Sequence, residues 1–289
     1  MSTRGFSIAA LATSWMLLLA SQVAAQISIP TKAHETLSFE LQSLRDNITL
    51  FRGDPQLLLS MNVRPDRFRP RVEYTSQAQA VLRIRDLYIS DHPQFSDLTA
   101  AERDEEEDAP YTEEWEIRLS PAGPTDFSMF CERGEGTFDF TDLEVRSVDL
   151  RAEGTKVDVD FSSQNPIELE SFVARVPTGS FQFHHMINAR AKEIRLHLPG
   201  STCQFEVTGK QFEGESMAYF EGVPAEMQML VSRKVGLRVT GPAATIARFE
   251  APHMTREGED LVSQGYAAAK CHIRLTFAAE IPKLNVEWQ

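Results

Sequence analysis

The densest chemistry in the chain is acidic. Glu102-Arg-Asp-Glu-Glu-Glu-Asp108 is followed closely by Glu113, Glu114 and Glu116. Hard cations such as Ca²⁺ need six to eight oxygens at defined angles. No EF-hand spacing organises these carboxylates, so the run reads as a solvated insertion between two strands, with Asp91-His-Pro93 and Pro110 as turn markers. A second acidic set, Asp139, Asp142, Asp149, Asp158 and Asp160, is spaced as outward positions of strands would be. On stacked strands such residues lie about 4.8 Å apart. They repel one another unless cations intervene, and Arg146, Arg151, Arg175 and Lys156 are near enough in sequence to do so. The set therefore reads as a charged, soluble face that discourages sideways aggregation.

His184-His185, with His197 further on, could hold a transition metal if a third ligand approached. Neighbours in a strand point to opposite faces, so the pair can share one ion only in a turn. No zinc-type Cys/His spacing occurs, and we assign no metal ligand. Cys131, Cys203 and Cys271 each sit in an alternating apolar segment and read as small buried fillers. Three cysteines leave at least one unpaired. No Gly-x-Ser-x-Gly elbow, P-loop or dinucleotide fingerprint is present. Paired carboxylates are too plentiful in an acidic chain to be informative. Exposed aromatics are few, with Trp115 expected beside a loop and Trp288 near the C-terminus. The expectation is a protein with no catalytic residues and no cofactor, hence not an enzyme.

The bulk numbers are those of an ordinary globular chain. Its 289 residues carry 29 Lys+Arg against 42 Asp+Glu, a formal net charge of −13, with 42% hydrophobic residues. That length can bury a sizeable core. The charge argues against nucleic acid and against anionic lipid headgroups, which need clustered Lys and Arg. Residues 1–25 have the form of a signal peptide. Arg4 lies before an apolar stretch from Ile8 to Ala20, and Val23-Ala24-Ala25 precedes Gln26. The expectation is an exported protein, periplasmic or extracellular after cleavage, with no later segment apolar enough to span a bilayer.

The remainder alternates with period two, which places one row of side chains on each face of a strand. Leu37/Phe39/Leu41, Ile48/Leu50, Leu57/Leu59/Met61/Val63 and Val81/Leu82/Ile84 are such runs, separated by Gly, Pro, Asn and Asp. The fold class is all-β. From Phe130 onward a glycine recurs before an alternating strand: Gly136, Gly154, Gly179 and Gly200, spaced by 18, 25 and 21 residues. A weaker copy follows at Gly222. A period near 20 with two short strands per copy predicts a β-solenoid of stacked coils with glycine corners. On this register Val157, Val159, Phe161, Cys203, Phe205 and Val207 point inward, while Lys156, Asp158, Asp160, Gln204 and Glu206 point outward. Corner glycines would supply positive φ. The organisation expected is an N-terminal β region over 26–125 carrying the acidic loop at 102–114. A C-terminal repeat solenoid over 126–289 follows, and its end, about 239–289, is capped.

These repeats resemble the toast-rack family, exported β-solenoids akin to the C-terminal domain of LiaF-type cell-envelope stress regulators. The resemblance rests on Phe130-Cys-Glu-Arg-Gly-Glu-Gly136, Phe140-Thr-Asp-Leu143 with Leu150-Arg-Ala-Glu-Gly154, and Asp160-Phe161-Ser162. Asn188-Ala189, Gly265-Tyr266, Phe51-Arg-Gly53 and Trp115-Glu-Ile-Arg-Leu119 also fit. It implies an extracytoplasmic structural, binding or stress-related module and no catalytic residues. The functional expectation is a non-enzymatic binding or scaffold module at the bacterial cell envelope. Its partner would be an envelope protein or polysaccharide, met by the charged strand faces and the loops at 91–114 and 240–260. Two other roles suit the same architecture: a regulator acting on a membrane sensor, and a surface adhesin.

Overall fold

The computed structural model describes residues 25–31, 36–44, 46–64, 70–76, 79–86 and 113–289. The signal-peptide segment at 1–24 and the acidic run at 102–108 lie outside them. The described chain is all-β. Period-two burial runs through nearly every strand, so each lays one apolar row on the core. Two sheets share these rows.

The repeat unit is a rung of two strands joined by a tight corner, one in each sheet. In chain order the rungs are β8 (Thr125–Glu132) with β9 (Glu135–Asp139), β10 (Val145–Glu153) with β11 (Thr155–Asp160), and β12 (Leu169–Arg175) with β13 (Gly179–His184). Then come β14 (Ala191–His197) with β15 (Thr202–Val207), and β16 (Gly214–Gly222) with β17 (Glu226–Val231). The last is β21 (Cys271–Phe277) with β22 (Lys283–Trp288). Each strand pairs in parallel with its counterpart in the next rung, in both sheets.

The N-terminal region joins the same stack out of chain order. β2 (Thr36–Ser43) and β3 (Asn47–Arg52) form a rung that pairs with β8 and β9. β6 (Gln79–Arg85) and β7 (Glu114–Leu119) then stack on its far side, so the chain passes back over β2 and β3 before entering β8. Antiparallel strands finish that end: β1 (Ala25–Pro30) on β4 (Leu57–Arg64) on β7 in one sheet, and β5 (Arg71–Thr75) on β6 in the other. The result is one ten-stranded and one twelve-stranded sheet, each mixed and neither closed on itself.

At the opposite end β18 (Gly236–Thr240) extends the twelve-stranded sheet beyond β21, followed by the hairpin β20 (Asp260–Ser263) and β19 (Met254–Glu257). Between β18 and β19 runs α1, a five-residue helix at Ala243–Ala247, and Phe249. Thr245 Oγ1 accepts from Ile281 N two residues before β22, and the His253 ring meets Trp288 at the end of that strand. The segment thus runs along the outermost rung and closes the core, so the 240–260 region is a cap of ordered elements. A four-residue helix, α2, interrupts the stack earlier, at Met186–Ala189.

One hydrophobic cluster runs from Leu37 to Leu284. Its spine is a file of phenylalanines, Phe39, Phe127, Phe140, Phe161, Phe183, Phe205, Phe220, Phe277 and Phe249, whose successive ring centroids are 4.6 to 6.1 Å apart. One rung cannot bury its own row, so each ring is covered by the next rung's.

The corner register differs from the glycine alignment read in the sequence. Gly136 pairs with Val157, and Gly179 with Thr155. Extending that register stacks Arg133, Gly154, Thr178 and Gly200 in one column, and three of these have positive φ: Arg133 at 51°, Gly154 at 63° and Gly200 at 79°. The fourth, Thr178, accepts from Gly154 N through its hydroxyl at 3.0 Å. Gly53, Gly136 and Gly222 are not at positive φ; close approach accounts for them. A Cβ on Gly222, for example, would meet His197 Nδ1 at 2.6 Å.

Candidate functional site

Outward positions of the ten-stranded sheet line up in three columns across eight strands, taken spatially from β7 through β3, β9, β11, β13, β15 and β17 to β22. The middle column reads Glu116, Thr49, Thr137, Asp158, Gln182, Gln204, Gln228 and Asn285. Gln and Asn at one register position in adjacent strands suit amide ladders. The flanking columns run from Glu114 to Lys283 and from Arg118 to Glu287. Among the described residues these columns hold nine carboxylates against three cations, Arg118, Lys156 and Lys283.

The centre of this face is a histidine between two acids. His184 Nδ1 is 3.0 Å from Glu206 Oε1 on β15, and its Nε2 is 3.4 Å from Asp158 Oδ1 on β11. Gln204 Nε2 donates to the same Glu206 oxygen at 3.1 Å. His185 follows the strand at φ 52°, and its Nδ1 reaches Asp160 Oδ1 at 2.7 Å. The two imidazoles therefore lie on the outer side with separate carboxylates, and no metal-type cluster of three ligands occurs among the described residues. His197 is on β14, in the other sheet. Partial burial, reinforced by Asp160 and Glu206 against the pull of His184 and Lys156, leaves the Asp158 carboxyl raised. Burial also acts on Asp160, but the bonds from His185 and Ser162 outweigh it and hold that carboxyl down.

The twelve-stranded face has a different electrostatic character. Its acids are matched by arginines: Arg83 Nε to Glu40 at 2.7 Å, Arg146 Nε to Asp126 at 2.9 Å, and Arg175 Nη1 to Asp149 at 2.7 Å. Arg195 joins Glu193 and Glu221, and Arg238 meets Asp260 at 2.7 Å. Each pair adds little stability, but together they neutralise the surface. The five aspartates expected as one outward set are accordingly divided. Asp149 is on this neutralised face, whereas Asp139, Asp158 and Asp160 are on the acidic one. Asp142 sits in a turn, where Ser163 at 2.7 Å and then Arg52 at 3.0 Å hold it below the usual carboxylate range.

The three cysteines are free and buried. Burial pushes the Cys131 thiol up to about 12 and raises Cys203 and Cys271 as well, so none is primed as a thiolate. Trp115, expected to be exposed, is 1% exposed, and its Nε1 donates to Glu113 Oε2 at 3.2 Å. It alternates with Ile117 and Leu119 on the inward row of β7.

Several residues that organise the corners were not apparent from the sequence. Buried Asn165 accepts from Val145 N at 3.1 Å and donates to Val145 O at 2.7 Å, mimicking a missing strand partner. Asn188 does the same a rung later, donating to Phe161 O and accepting from Lys210 N, both at 2.7 Å. Asn at a break in alternation was the available signal, though any loop Asn looks alike in sequence.

Comparison with known protein families finds no match, and comparison with curated proteins finds none. Among solved structures, that of "a putative cell adhesion protein" from Clostridium sporogenes is similar at 13% identity and a TM-score of 0.40, covering 92% of this chain and all of that one. No helix of the described residues is long and apolar enough to cross a membrane. The chain itself is an all-β protein of two large mixed sheets, with one acidic and one neutralised outer face.

Proposed function

We propose that the protein is a toast-rack-like β-solenoid that acts, after export, as a non-enzymatic binding or scaffold module at the cell envelope. The acid-and-amide face of the ten-stranded sheet would be its contact surface. The observation that carries this reading is the contrast between the two faces. One neutralises its acids with arginine, whereas the other keeps nine carboxylates against three cations over eight strands in register. Like charges in adjacent columns cost self-repulsion, and a cationic partner relieves that cost. A regularly spaced array suits a partner with repeated donors, such as a basic protein segment or an amine-bearing polysaccharide.

The test is a pull-down from solubilised envelope with residues 26–289, beside a variant carrying Gln182→Lys, Gln228→Lys and Glu287→Lys. These positions are on the outer face, so the core is untouched. A basic envelope component retained by the parent and lost by the variant supports the reading. Equal capture by both proteins overturns it.

A further inference from the structure

The cap leaves a cleft at the corner where β17 and β22 end. It is open to solvent, offers about 540 Å³ and is lined by Arg233, Glu250, Pro252, His253, Gln264 and Trp288 among others. The cleft is rigidly framed. Arg233 N donates to Gln289 O at 2.8 Å and Gln264 N to His253 O at 2.8 Å, tying one wall to β22 and the other to the hairpin. Gln264 Nε2 donates to Pro252 O at 3.2 Å.

Two polar groups in this frame lack the partners that similar groups have elsewhere, and an indole lies beside them. The Trp288 indole is half-buried, with the His253 ring edge-on at 4.4 Å and 90°, and it packs on the end of the core. His253 Nε2 is shielded from solvent and has no hydrogen-bond partner. An unsatisfied buried nitrogen of this kind is a destabilising feature of the cleft wall. Arg233 makes no side-chain ion pair among the described residues, whereas the one acid of the cleft, Glu250, is neutralised by Arg256 at 2.8 Å. The cleft is thus a cationic spot on a strongly acidic protein.

We infer that this cleft is a binding site for a carboxylated sugar ring, with Arg233 holding the carboxylate and Trp288 packing against the ring. The volume is in the range of small-ligand sites, which combine an apolar wall with a few placed polar groups. Guanidinium–carboxylate pairing supplies the charge selection. The site adjoins the last strand of the acid-and-amide face, with Trp288 on the opposite side of β22 from Glu287, and does not depend on the role proposed for that face.

Residues 26–289 contain two tryptophans, buried Trp115 and half-buried Trp288. Emission therefore reports on the cleft when sodium glucuronate, glucose and sodium benzoate are titrated separately. The expected result is a saturable change with glucuronate and none with glucose. Arg233→Gln should weaken glucuronate binding about 10-fold or more. Calorimetry with Trp288→Phe should show weakened binding while circular dichroism is unchanged. No saturation with glucuronate, equal response to glucose, or unaltered affinity in Arg233→Gln overturns the site. Benzoate binding as tightly as glucuronate overturns its assignment to a sugar.

Discussion

Ser43 Oγ donates to Asp46 Oδ2 across 2.5 Å at the corner between β2 and β3, with both residues buried. The Glu113 backbone caps the same corner, accepting from Asn47 N at 2.8 Å. The chain leaves the described core at Asp86 and returns at Glu113, so both ends of the acidic insertion come close to this corner.

That corner predicts an unusual pH dependence. Burial pushes the Asp46 carboxyl up to about 7, with Asp86 and Glu113 adding to the rise and the Ser43 bond opposing it. An unfolded Asp titrates near 3.9. Between about pH 4 and 7 the folded state therefore holds a proton that the unfolded state releases, and stability falls as pH rises. Asp46→Asn keeps an oxygen for Ser43 and removes this loss. Its urea midpoint should match the parent's at pH 4, gain on it up to about pH 7 and hold that lead above.

Asp160 should behave in the opposite sense. Its carboxyl is held down by His185 and Ser162 against burial, so its stabilisation is present above the unfolded value and disappears as pH falls through the folded one. Asp160→Asn should cost about 1–2 kcal/mol at pH 7. Denaturant titrations should show that deficit shrinking below about pH 4.

The phenylalanine file should be cooperative along the stack. Phe183 is fully buried, with ring contacts to Phe161, Phe172, Phe181 and Phe205. Phe183→Ala should cost about 3–5 kcal/mol in chemical denaturation. Phe183→Leu, which refills most of the volume, should recover more than half of it.

Two glycines distinguish backbone strain from crowding. Gly258 has φ 65° in the hairpin turn with open space around a would-be Cβ, so Gly258→Ala should cost about 1–2 kcal/mol, the strain alone. Gly179 has φ 106°, and a Cβ there would lie 2.2 Å from Thr155 O in the neighbouring rung. Gly179→Ala must push paired strands away from each other, and thermal melts should show a loss several times larger.

Strand character was legible in the sequence because one-sided burial writes itself as alternation. Val157, Val159, Phe161, Cys203, Phe205 and Val207 are all buried, as their spacing required. Alternation records which face a residue takes but not which strand lies beside it. The corner glycines were therefore matched by type, although register is decided by hydrogen bonds between rungs. The placement of β6 and β7 outside β2 and β3 was likewise invisible, since any of these strands offers its neighbour the same apolar row. The acidic and neutralised faces share one cause: Asp149 and Asp158 look alike in sequence. Only the alternation of successive strands between two sheets sends one towards Arg175 and the other towards His184. The sequence by itself determined an all-β chain with a ladder core; tertiary pairing decided which charges meet, and so where a partner could bind.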